Sequence, residues 1–146
     1  MERDFHVLKV CCASVIAALL VVGAVSHGVI RHIVQTSPLW IVIVLSIRRS
    51  GWSKWVALPC FLSWLLLMTA IWLFLLGWAR IVSGTFSSTE IAMTVIVGLA
   101  SMVGIIRALG MKGDVRGWSA TAIVFLTAVL QATAIRLSLL PSIAHR

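Results

Sequence analysis

Four long stretches of the chain are apolar almost without interruption, and charged residues fall between them or near their ends rather than at their centres. They are Val7 to Val25, Val56 to Trp78, Ile91 to Leu109 and Ala120 to Leu140. Runs of about 20 apolar residues have the length an α-helix needs to cross the hydrocarbon core. They are continuous rather than alternating, which favours helices over the strands of a barrel. A fifth stretch, Ser37 to Arg49, is shorter. As a helix it extends only about 20 Å, less than the roughly 30 Å core. Ser37 suits an N-cap and Pro38 the first helical position. Two arrangements fit: a re-entrant or tilted half-span, or a helix that begins near Val29 and kinks at Pro38. In the second, Ser26-His27-Gly28 becomes a tight turn. The pattern therefore predicts an all-α polytopic membrane bundle, with four long transmembrane helices plus a short or kinked helix near residues 37–50. Residues 1–146 form a single integral membrane domain. The first run resembles a signal peptide, with Ala24-Val25-Ser26 in the place of a cleavage site, but Glu2 and Asp4 in its head favour a retained span.

Composition agrees. The 146-residue chain is 61% hydrophobic and 11% charged, against about 25% charged in soluble domains. Its mean hydropathy is +1.10. Twelve basic residues outweigh four acidic ones. They flank the apolar runs, where they set topology and meet anionic headgroups, and no nucleic-acid partner is expected. With five crossings one side holds Arg3, Lys9, Arg48, Arg49, Lys54, Arg107, Lys112 and Arg116, and the other holds Arg31, Arg80, Arg136 and Arg146. That bias of eight to four puts the N-terminus in the cytoplasm. Nine Arg against three Lys, with no Asn and no Tyr, suits a GC-rich bacterial gene, so a multi-pass location in a bacterial inner (plasma) membrane is expected. No internal repeat marks a secondary transporter.

Glu90 is the one carboxylate beside the long apolar runs. Ser87-Ser88-Thr89-Glu90 matches a capping box with Ser87 as the cap, and Phe86 and Ile91 occupy the positions of a hydrophobic staple. A carboxylate in a first turn also complements the helix dipole. A second role needs a partner. If the last two helices form an antiparallel hairpin through Gly110 to Ser119, Arg136 falls opposite Met93, within a turn of Glu90. Glu90 and Arg136, with Arg80 as competitor, then make a functional or structural ion pair. Ala100, Gly104 and Ala108 recur every four residues, as do Ala128 and Ala132. Small residues at that spacing let helices approach closely, which would tighten the same hairpin or serve an oligomer.

Trp64, Met68 and Trp72 share a stripe that suits lipid-facing or core packing, a pigment, quinone or lipid pocket being the sharper alternative. His6, His27, His32 and His145 suit interfacial positions better than metal or haem. Cys11, Cys12 and Cys60 suit burial as small apolar side chains. No C-x-x-C, G-x-S-x-G, H-E-x-x-H or P-loop occurs, and four acids cannot supply converging acid–base or two-metal sites. The expectation is a non-enzymatic accessory, assembly or interaction protein acting through intramembrane helix contacts. It needs no cofactor or metal, and its partners are the lipid bilayer and a membrane protein or second copy. The alternatives are a small transporter or channel subunit using Glu90 and Arg136, and a haem- or quinone-binding redox subunit.

Overall fold

The structure is a computed structural model that describes residues 2–79, 84–112, 115, 117–140 and 143. Among these residues it is all-α, with no strand. The helices are α1 (Glu2–Val25), α2 (Val29–Ile47), α3 (Ser53–Leu75), α4 (Ser88–Gly110) and α5 (Gly117–Ser138). All five are long and apolar enough to cross a membrane. The doubtful second run is therefore a full-length helix, and the chain has the character of a multi-pass membrane protein.

α2 continues through Pro38, and its side-chain hydrogen bonds explain how. Proline has no N–H for the carbonyl four residues earlier, here Val34. The Ser37 hydroxyl donates to that carbonyl oxygen at 2.8 Å. One residue further, the Gln131 side-chain amide of α5 donates to the Gln35 carbonyl at 3.2 Å. Hydroxyls and neighbouring helices are what make proline tolerable where no bulk water can replace a lost bond. The α1–α2 turn is equally tight. Gly28 N–H donates to Gly23 O at 2.8 Å, His27 sits at φ 56°, and a β-carbon on Gly23 would meet Val29 Cα at 2.9 Å. Ser26-His27-Gly28 thus closes the hairpin, as the second of the two arrangements requires.

α1 packs against α2 and α4, and α3 against α4 and, less extensively, α2. These four helices surround a core that includes Leu8, Cys12, Val15, Leu39, Cys60, Phe61 and Trp64. α5 lies outside them against α2 and α3, held by a buried polar seam. Gln35 Nε2 donates to Ser138 Oγ at 2.9 Å, and Gln131, 0% exposed, supplies the bond to the Gln35 carbonyl.

The expected hairpin of the last two helices is not formed, since α4 and α5 do not pack along their lengths. The small-residue face of α4 is already occupied. Gly104 faces the Phe61 ring of α3, Ala108 is fully buried, and Ala100 packs against the same core. α5 buries Ala120, Thr127, Gln131, Ala134 and Ser138 instead, which leaves Ala128 half-buried and Ala132 exposed.

Contacts at the helix ends fix the directions. Glu2 pairs with Arg49, Asp4 lies 4.0 Å from Arg107, and Lys54 Nζ donates to Met111 O at 2.7 Å. The starts of α1 and α3 therefore share one end of the bundle with the ends of α2 and α4. The bond from Gln35, early in α2, to Ser138, at the end of α5, belongs to the opposite end. So α1, α3 and α5 run one way, and α2 and α4 the other.

Candidate functional site

A cavity of about 280 Å³ opens at the end of the bundle where α2 and α4 begin. Its walls come from all four core helices. α1 contributes Leu19 and Val22 near its C-terminal end, the α1–α2 turn contributes Ser26, and α2 contributes Arg31, His32 and Gln35 from its first turns. Trp64, Leu67, Met68 and Ile71 come from the second half of α3; Glu90, Met93, Thr94 and Val97 come from the first turns of α4; and Gly84, Thr85 and Phe86 precede α4. The sequence order dictates the polarity. The polar residues of α2 and α4 fall near the helix starts, at the mouth. The α3 residues and Val97 are apolar, and Trp64 lies farthest from the mouth. The result is a polar rim over an apolar wall, with Trp64 only 1% exposed.

The rim has separated charges. Glu90 Oε2 accepts from Ser87 N at 2.7 Å and from Ser87 Oγ at 2.8 Å. Ser87 Oγ in turn accepts from Glu90 N at 3.3 Å, so both halves of the capping box are present. Phe86, beside the cap, packs on Phe74 with ring centroids 6.1 Å apart. Across the cavity, Arg31 Nε and His32 Nδ1 are buried without a hydrogen-bond partner among the described residues, as is Trp64 Nε1 in the wall. α2 has no side-chain hydrogen bond at its N-cap, Gly28.

The Glu90–Arg136 ion pair expected from the sequence is not formed among the described residues. Ser87 holds the carboxylate, and Arg136 is exposed in the last turn of α5, on a helix that packs against α2 and α3 rather than α4. Arg80 lies outside the described residues. Trp64 and Met68 belong to the cavity wall, while Trp72 does not. His27 is exposed in the α1–α2 turn and His6 is exposed at the far end; His145 lies outside the described residues. Cys11, Cys12 and Cys60 are buried free thiols in the core, and no group of three or more metal-ligating side chains occurs among the described residues.

Sequence reasoning passed over Arg31 and Gln35 as site residues and weighed His32 only as an interfacial residue or a metal or haem ligand. Their spacing carried a signal: 31 and 35 are four apart, 32 and 35 three apart, so all share one helical face. That signal needed the helix to start near Val29.

The chain matches no protein-family model, and no curated protein or solved structure is similar enough to stand as a relative.

Proposed function

We propose that this protein is a non-enzymatic accessory protein of a bacterial inner membrane that binds an amphiphilic molecule in the cavity between α1, α2, α3 and α4. One observation carries the proposal: Arg31, His32 and Glu90 line the same recess as Trp64, Leu67, Met68, Ile71 and Val97. A few convergent polar groups over an apolar wall are the usual make-up of a small-molecule site. The accessory role expected from the sequence is thereby narrowed, because the intramembrane contact the geometry favours is with a lipid-like molecule. The transport alternative is weaker, since Glu90 and Arg136, which it places along one pathway, lie on helices that do not pack against each other along their lengths.

Orientation follows from the charges. The end that ties Glu2 to Arg49 and Lys54 to Met111 also carries Arg3, Lys9, Arg48, Arg107 and Lys112. Lys and Arg accumulate on the cytoplasmic side, so the N-terminus is cytoplasmic and the cavity opens outward. Native mass spectrometry of protein released gently from detergent tests the binding. One amphiphile per chain is expected to stay bound to the wild type and to be lost from Met93→Trp, which fills the recess from a half-buried position. Equal retention by a folded Met93→Trp protein would remove the cavity from the account.

A further inference from the structure

We infer that the cavity selects a lipid with a zwitterionic headgroup carrying a phosphate and a primary ammonium; the inference rests on the amphiphile reading above. Arg31 and Glu90 line one recess, yet they form no ion pair with each other among the described residues. Opposite charges held apart at one mouth match a ligand head that carries both.

The two sides of the mouth also differ. On the α2 side, Arg31 Nε is buried without a hydrogen-bond partner among the described residues. The N-cap there is Gly28, which has no side chain, so the positive dipole end of α2 adds to the guanidinium. That is the phosphate side. On the α4 side, Ser87 and Glu90 already cap the helix. Both Ser87 bonds fall on Glu90 Oε2, which leaves Oε1 for an ammonium donor. A head that carries only the phosphate brings no cation to pair with that carboxylate, so a purely anionic head fits less well. A trimethylated ammonium has no N–H to give to Oε1. At about 280 Å³ the recess lies just under the roughly 300–1,000 Å³ of typical ligand sites. It holds the head and the first part of one chain against Trp64 and Met68, with the remainder in the bilayer.

The test is competitive retention. Full-length protein is offered equal amounts of phosphatidylethanolamine, phosphatidylcholine and phosphatidylglycerol with the same chains, and bound lipid is read by native mass spectrometry. The wild type is expected to hold phosphatidylethanolamine about tenfold over either competitor. Glu90→Gln keeps a cap acceptor but removes the charge, and is expected to abolish the preference over phosphatidylglycerol. Arg31→Gln is expected to lower retention of all three. Soluble phosphoethanolamine is expected not to displace the lipid; displacement would assign the site to a free solute and overturn the lipid assignment. Equal or better retention of phosphatidylglycerol by the wild type, or an unchanged preference in Glu90→Gln, would overturn the headgroup assignment while leaving an amphiphile site intact. Loss of every lipid from the wild type would remove the amphiphile reading itself.

Discussion

A β-carbon at Gly104 would meet three ring atoms of Phe61 at 2.5 to 2.7 Å. Phe61 is fully buried, so its ring has nowhere to swing without displacing other core side chains. Gly104→Ala is therefore expected to destabilise the fold by about 1–3 kcal/mol, the usual cost of overpacking. Combining it with Phe61→Leu should recover part of that loss, because neighbours that clash are not additive. Thermal unfolding in detergent reads both, and a Gly104→Ala protein as stable as the wild type would show that α3 and α4 do not approach as described. A second residue-level expectation concerns the cap. Ser87→Ala removes the acceptor for Glu90 N–H and should cost about 1 kcal/mol, whereas Glu90→Gln, which keeps an acceptor for Ser87 N–H, should cost less in the same assay. The ordering would be reversed if the Glu90 charge, rather than its hydrogen bonds, held the helix start. This cap was legible in the sequence because every atom in it lies within four residues. The cavity was not legible, because Arg31, Trp64 and Glu90 meet only after four helices have packed.

Among the elements, α2 was the hardest to read, and its repair of Pro38 is the reason. Counted from Ser37 the segment is too short to span. Counted from Val29 it is a 19-residue helix with a proline near its middle, and the sequence alone does not say which bonds replace the missing one. Ser37 supplies one locally and Gln131 supplies another from α5, a residue ninety-six positions away. This leads to a double-mutant cycle. Ser37→Ala alone should lose about 0.6 kcal/mol, and at most about 1.7, as for other intramembrane hydrogen bonds. In a Pro38→Ala background the new N–H at position 38 can serve Val34 O, so the same substitution should cost close to nothing. An identical cost in both backgrounds would mean that the hydroxyl does not replace the proline's missing donor. The placement of α5 was misjudged for a related reason. Equal-depth arithmetic assumes that consecutive helices are neighbours, yet Gln131 and Ser138 find their partners on α2, and Phe61 fills the α4 face that the hairpin needed.

At the scale of the whole molecule, hydropathy carried most of the architecture, since four of the five spans follow from segment length, and only the crossing of α2 had to come from the structure. Orientation across the membrane is a separate matter decided by where Lys and Arg collect, and labelling can check it. The native thiols Cys11, Cys12 and Cys60 are buried, which gives a low background for a membrane-impermeant maleimide. Thr85 is exposed beside the cavity, and a β-carbon on Gly51, in the α2–α3 connection, would meet nothing within 4 Å. In intact bacterial cells Thr85→Cys should label and Gly51→Cys should not, while both should label after the membrane is opened. The reverse pattern in intact cells would turn the bundle over. The cavity would then open to the cytoplasm, the eight-to-four charge bias would point the wrong way, and any amphiphile would have to enter from the inner leaflet. Because the two sites lie at opposite ends of a bundle tied together by the Glu2–Arg49 and Gln35–Ser138 contacts, labelling of both in intact cells would also contradict the antiparallel course of α1 to α4.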